Sequence, residues 1–182
     1  MRVVILFRIK ITQANIEILK EPIKLAVIYL ELHLIKEIYM DHSGSAAWAG
    51  GIKDGIGSIS VQTGVLKDAP YGFKARFEDG PGTNPEELIG AAHAACFTMA
   101  LSGELGKAGL TADSLKTEAT VTLEKVSGGF SITKIHLDLS GKVPGTDQSG
   151  FEKIANDAKV GCPVSKLFKD NAEITLTAKL EA

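Results

Sequence analysis

Cysteine is scarce in this chain of 182 residues, which holds only Cys96 and Cys162. Two thiols cannot build the disulfide framework of a small secreted scaffold. Nor can they supply the four ligands of a structural zinc ion without help from histidine or carboxylates. No Cys-x-x-Cys pair occurs, so thioredoxin-like chemistry is not indicated. Excess charge is missing as well: 20 Lys and Arg stand against 22 Asp and Glu, a net of −2, and no basic field marks nucleic acid or an anionic membrane as a partner. Long uninterrupted apolar runs are lacking at the N-terminus. Val3 to Phe7 is too short for a secretory core and is broken by Arg8 and Lys10, with no small-residue cleavage site after it. Leu25 to Ile35 contains Glu31 and His33 and falls short of the roughly 20 apolar residues of a membrane helix. Neither export nor membrane spanning is expected. What remains, with 45% hydrophobic and 23% charged residues, is ordinary globular composition.

Glycine is absent from residues 1–40, where Ile and Leu dominate, whereas the rest of the chain is rich in it. Residues 1–42 therefore read as an arm outside the main domain, which spans 43–182. Pro22 followed by Ile23, Val27, Leu30, Leu34 and Ile38 predicts an amphipathic helix from about 23 to 40. The arm packs on a partner subunit or is upstream sequence joined to a natural start at Met40; the sequence leaves both open. Beyond it the order is short strands with Gly-rich turns, a long helix, a strand pair, a helix and a last strand, an α+β arrangement. Strands are predicted at Ser45 to Gly50, Gly57 to Thr63, Gly72 to Glu78, Leu115 to Val126, Phe130 to Val143 and Glu173 to Glu181. Ser127-Gly128-Gly129 marks a hairpin. In the arm after it, Ile135, Leu137 and Leu139 face one way and Lys134, His136 and Asp138 the other, so His136 reads as a solvent-face residue.

The central helix opens on Asn84 as N-cap, Pro85 at the first helical position, and Glu86 and Glu87 in the first turn, Glu87 being placed as a capping-box partner. From Leu88 to Leu105 it is apolar nearly all round, with small residues at Gly90, Ala91, Ala94 and Ala95. One chain of this size can hardly cover such a helix, which argues for a homodimer whose central helices pack together. Within it, Cys96 alone reads first as a small buried hydrophobe. Cys162 differs, because it follows a helix of Phe151 to Lys159 and precedes Pro163 as the N-cap of a short helix through Phe168; the positive end of that helix favours a reactive thiol, the plainer reading being a structural Gly-Cys-Pro bend.

A reactive Cys96 needs a cation to stabilise its thiolate. Arg76 can supply it, with Glu86 as the carboxylate that orients it by bidentate pairing; the plainer reading of Arg76 is a surface ion pair with Glu78 or Asp79. Glu86 and Cys96 are ten residues apart, roughly 15 Å along the helix axis, too far for one Arg head within a single chain. Antiparallel packing of two central helices would bring Glu86 of one chain near Cys96 of the other. His93 could act as a base, though a hydrogen-bonded core histidine is the commoner case.

Three blocks of sequence resemble one family: Thr83-Asn84-Pro85-Glu86-Glu87-Leu88, Ala91-Ala92-His93-Ala94-Ala95-Cys96-Phe97, and Gly161-Cys162-Pro163-Val164-Ser165-Lys166, preceded by Tyr71-Gly72-Phe73 and Arg76-Phe77-Glu78. They resemble the OsmC/Ohr thiol-dependent hydroperoxide reductases, the OsmC branch more than the Ohr branch, over about Ala46 to the C-terminus. The resemblance implies an intertwined homodimer in which antiparallel sheets wrap two long central helices. It implies a peroxidatic Cys96, a resolving Cys162, and Arg76 with Glu86 activating the thiolate and orienting the peroxide. The expected cycle passes through a Cys96 sulfenic acid and a Cys96–Cys162 disulfide, reduced by an external dithiol in a reducing cytoplasm, with no cofactor or metal. The apolar neighbours Phe97, Met99 and Phe73 favour an alkyl hydroperoxide over hydrogen peroxide. Two rivals are a non-catalytic dimeric module binding an apolar ligand at its interface and a hydrolase using a Cys96–His93 dyad.

Overall fold

Alternation of apolar and polar residues builds the spine of the molecule. Strands β4 (Ser114–Val126) and β5 (Gly129–Lys142) form a long antiparallel hairpin turned at Ser127-Gly128, where Gly129 takes a φ of +128° that a side chain would strain. On β5 the side chains of Ile135, Leu137 and Leu139 are buried, while Lys134 and Asp138 face out. The final strand β6 (Glu173–Leu180) lies parallel to β5, pairing Ile135 with Ile174 and Leu137 with Leu176. This second sheet, ordered β4-β5-β6, is mixed, whereas the sequence suggested antiparallel sheets throughout. The cause is the connection: two helices carry the chain from β5 to β6, and such a crossover returns it in the same direction.

Those crossover helices are α3 (Gln148–Gly161) and α4 (Pro163–Phe168). Asp147 caps α3 by accepting from the Gly150 N–H at 2.8 Å, and Phe151, Ala155 and Ala158 form its buried stripe. Cys162 joins the two helices: its N–H donates to Ala158 O at 2.8 Å, and its carbonyl accepts from the Lys166 N–H at 3.0 Å. Gln148 ties the start of α3 to β6 through Ala178 O and the Leu180 N–H, both at 2.7 Å.

The central helix α2 (Pro85–Lys107) begins as the sequence signals require, Asn84 accepting from the Glu87 N–H at 2.9 Å with Pro85 next. The Glu87 carboxylate, expected to return to the cap backbone, instead accepts from the Thr83 hydroxyl at 3.1 Å. One side of α2 packs on β4 and α3 through Gly90, His93, Phe97, Leu101 and Leu105. By length and composition α2 could cross a membrane, yet it forms the core with one face, and only 28% of its most apolar window is buried within the chain. Ala91, Ala92, Ala95, Met99, Ser102, Gly103 and Gly106 form the exposed face.

A first sheet, ordered β1-β2-β3, is built from β1 (Gly44–Ala49), β2 (Ile56–Val61) and β3 (Ala69–Tyr71). Trp48 packs on Tyr71 with ring centroids 5.4 Å apart, over Gly55 and Gly57, where any side chain would collide with the rings. β1 is exposed along its whole length. The strand predicted over Gly72 to Glu78 is instead a short helix, α1 (Phe73–Phe77). Phe73 and Phe77 stand four apart, a spacing that suits both periods, and their rings meet at 4.9 Å as a helical pair. β3 was missed because Asp68-Ala69-Pro70 reads as a turn; Asp68 does turn the chain, at a φ of +51°, one residue before the strand begins.

The computed structural model describes residues 22–25 and 40–181. Residues 22–25 are helical; the rest of the helix expected from about 23 to 40 lies outside the described residues.

Candidate active site

Two pairs of side chains form along α2. At its N-terminal end the guanidinium of Arg76, carried by α1, forks onto Glu86. Nε donates to Oε1 and Oε2 at 3.2 and 3.1 Å, and Nη2 donates to Oε1 at 2.6 Å. The ion pairs foreseen as alternatives, with Glu78 or Asp79, do not form; the bidentate one does. α1 is held in place by Asn84 donating to Ala75 O at 3.2 Å, and by Phe77, whose ring meets Phe130 at the hairpin tip at 5.2 Å. Arg76 lies over the Phe77 ring, 5.3 Å from its centroid. Beside it a cavity of about 520 Å³ is lined by Leu123, Phe130, Ile132, Leu167 and Phe168.

Farther along α2 the two cysteines meet. Cys162 is completely buried at the junction of α3 and α4, and Cys96, half-buried, packs against the same core cluster. Four causes act on the Cys96 thiol. Burial pushes it above its ordinary value of 9.0, the backbone N–H of Val164 pulls it back down, and a hydrogen bond and charge from Cys162 push it up again. The net direction is upward, toward the protonated thiol. No cation is among these causes, because Arg76 is engaged by Glu86 at the other end of the helix, ten residues and roughly 15 Å away. Of the apolar neighbours expected around Cys96, Phe97 points into the core and Met99 is 77% exposed.

His93 does not form a dyad with Cys96. Its Nε2 lies 2.8 Å from the Ser165 hydroxyl of α4, both groups buried, and burial holds its pKa below 6.5. His136, expected to face solvent, is half-buried, with its two ring nitrogens at 2.8 Å from the Thr175 hydroxyl and 3.3 Å from that of Thr177 on β6. Sequence reasoning missed Val164 and Ser165 as neighbours of the site. Both lie in the Gly161–Lys166 block that carries the family resemblance, and their position two and three residues after Cys162 puts them in the first turn of a helix whose N–H groups are unspent.

Two free thiols thus share one core cluster where the central helix meets a helix junction. Residues 78–177 match the profile of the family described as OsmC-like protein. Over 139 residues the chain is 57% identical to peroxiredoxin OsmC of Escherichia coli K12, spanning 76% of this chain and 96% of that one. It is 35% identical over 104 residues to an organic hydroperoxide resistance protein of Xanthomonas axonopodis pv. citri, 54% of this chain and 68% of that one. Among solved structures, the organic hydroperoxide resistance protein OhrB of Bacillus subtilis superimposes with a TM-score of 0.58 at 30% identity, covering 75% of this chain and 98% of that one. An OsmC-like protein from Mycoplasma pneumoniae shares the fold, with a TM-score of 0.63 at 13% identity over 79% of this chain and 99% of its own. The chain belongs to the OsmC family and is a thiol peroxidase.

Proposed function

We propose that the protein reduces organic hydroperoxides, and hydrogen peroxide less efficiently, as a homodimer whose active sites are shared between protomers. The Cys96 thiolate attacks the O–O bond, forming a sulfenic acid and releasing an alkoxide that takes up a proton to leave as alcohol. The Cys162 sulfur then attacks the sulfenic sulfur. A disulfide forms, and the displaced hydroxide leaves as water with the thiol proton. An external dithiol reduces that disulfide and is itself oxidised to a disulfide, a cycle suited to a reducing compartment such as the cytoplasm.

The observation that carries this reading is that Cys96 of α2 packs against the core cluster that holds Cys162, 66 positions away in sequence, near enough for Cys162 to shift its titration. Support for the dimer comes from the uncovered small-residue face of α2 and from the exposed β1. An antiparallel partner helix on that face would carry its Arg76–Glu86 pair toward this chain's Cys96. Arg76 would then stabilise the thiolate and hold the peroxide oxygens, and the cavity beside it, which Ser131 and Asn171 line along with its apolar side chains, offers Leu123, Ile132 and Leu167 to an alkyl substituent.

The test is dithiol-dependent consumption of cumene hydroperoxide and hydrogen peroxide by the wild type, Cys96→Ser and Cys162→Ser, with free thiols counted before and after. Loss of turnover in Cys96→Ser, together with two thiols consumed per wild-type chain, is the expected result. Full activity in Cys96→Ser would take the attack on peroxide away from Cys96, and thiols untouched by peroxide with no turnover would favour a dimeric module that binds an apolar ligand without catalysis.

A further inference from the structure

The buried imidazole of His93 has no part in the cycle above, yet it spans the same two elements as the cysteines. His93 precedes Cys96 by three residues on α2, and Ser165 follows Cys162 by three in the first turn of α4. In a helix, residues three apart share a face about one turn, or roughly 4.5 Å, apart. α2 and α4 are therefore joined by the His93–Ser165 rung, at 2.8 Å between side chains that are 0% and 4% exposed, and by the core cluster that Cys96 and Cys162 share as a second rung. Between the rungs, the Val164 N–H reaches Cys96. The second turn of α4 meets the same imidazole, with the Phe168 ring centroid 6.4 Å from that of His93.

This arrangement is not the one that packing alone would favour. His93 Nδ1 is buried without a hydrogen-bond partner, which costs the desolvation of that atom, and an apolar side chain of similar volume would avoid the cost. The Nε2 contact gives the α2–α4 packing a fixed height that an apolar pair would not specify.

We infer that the His93–Ser165 hydrogen bond positions α4 so that Cys162 stands within bonding reach of Cys96 when the sulfenic acid forms. Disulfide closure demands a Cα separation of about 4.4–6.8 Å, a window that a slide of α4 along α2 by a fraction of a turn would leave. His93 touches neither sulfur and is a positioning residue: it acts on the second step, where Cys162 displaces hydroxide from the Cys96 sulfenic acid, and not on the attack of Cys96 on peroxide.

The inference rests on the reading that Cys162 resolves the sulfenic acid, and the experiment separates the two. Fully reduced wild type, His93→Leu and Ser165→Ala are mixed with one equivalent of cumene hydroperoxide. Peroxide loss, sulfenic acid captured by a 1,3-diketone, and disulfide are then followed in one turnover. His93→Gln and Ser165→Thr, which keep a donor or hydroxyl at these positions, serve as conservative controls. Disulfide formation is expected to slow about tenfold in His93→Leu and Ser165→Ala, the effect of one lost buried hydrogen bond, while peroxide loss changes less than about threefold. Captured sulfenic acid should rise in both, and His93→Gln and Ser165→Thr should restore the wild-type rate. A wild-type rate of disulfide formation in His93→Leu and Ser165→Ala overturns the inference, as does an equal slowing of both steps, which would mark a purely structural role. If the wild type itself forms no Cys96–Cys162 disulfide, the resolving role of Cys162 fails and the inference falls with it.

Discussion

A site divided between protomers can be tested by mixing two variants that are each inactive. Within one chain the Arg76–Glu86 pair stands roughly 15 Å along α2 from Cys96, and the Cys96 thiol is pushed up from 9.0 by burial and by Cys162. At an effective dielectric of about 20, a unit charge at about 15 Å stabilises a thiolate by about 1 kcal/mol, and at about 4 Å by about 4 kcal/mol. Bringing the partner's guanidinium into contact is thus worth about 3 kcal/mol, or about two pH units in the thiol's titration. Arg76→Ala should accordingly slow the attack on cumene hydroperoxide about a hundredfold near pH 7, and Cys96→Ser should abolish it. When differently tagged Arg76→Ala and Cys96→Ser chains are unfolded together and refolded, about half of the dimers are mixed, and each mixed dimer holds one complete site of its two. In the mixed dimers, about half of the wild-type turnover per dimer should return. The assay is dithiol-dependent peroxide consumption on dimers purified through both tags. If mixed dimers are confirmed and remain as inactive as the parent variants, Arg76 serves the Cys96 of its own chain and the division of the site is wrong.

Three further outcomes follow from single contacts. Met99→Asp on the exposed face of α2 should leave an uncompensated charge in the proposed dimer interface, costing about 3–5 kcal/mol; sedimentation should show the monomer mass and turnover should fall with it. Gly90→Ala should destabilise by about 1–3 kcal/mol despite alanine's better helix propensity, because the new Cβ would lie 2.7 Å from Ala119 O on β4; a urea midpoint at or above wild type would contradict this. For His93 the folded pKa lies below 6.5, so between that folded value and pH 6.5 the unfolded chain binds a proton the folded one refuses. Stability should therefore fall as pH drops below about 6.5, by at most about 1.4 kcal/mol per pH unit, and His93→Gln should flatten that slope in urea melts at pH 7 and 5.

Where local physics decides the structure, the sequence was legible. Asn84-Pro85 started α2, the alternation of Ile135, Leu137 and Leu139 placed the buried face of β5, and Cys162-Pro163 marked the α3–α4 junction, each from residues within a few positions of one another. It failed where a short segment satisfied two periods at once. Phe73, Ala75 and Phe77 alternate as a strand would, but Phe73 and Phe77 also stand one helical turn apart, and the Asn84 amide on Ala75 O with the Phe130 ring on Phe77 supports the helix. Both supports come from outside the five residues concerned, so no window on them could have found the answer. His136 failed for a related reason: alternation put it on the outer face of β5 correctly, but its burial comes from Thr175 and Thr177, which only the parallel pairing of β6 brings alongside.

The candidate site divides along the same line. The Arg76–Glu86 fork was legible because a guanidinium and a carboxylate at neighbouring segment ends satisfy each other in one geometry. The contact between the cysteines was not derivable from local pattern, since it depends on α3 and α4 folding back across α2 after the whole β4–β5 hairpin has intervened. That crossover also explains why the meeting point is built from a helix junction and not from a loop. Cys162 ends one helix and begins the next, so its backbone is committed on both sides, to Ala158 and to Lys166, and its side chain is fully buried in the core cluster that Cys96 packs against. A resolving thiol on a loop would have to be found by diffusion. One fixed at a junction must instead be aimed, and the groups available to aim it are those that the first turn of α4 presents to α2, the Val164 amide and the Ser165 hydroxyl.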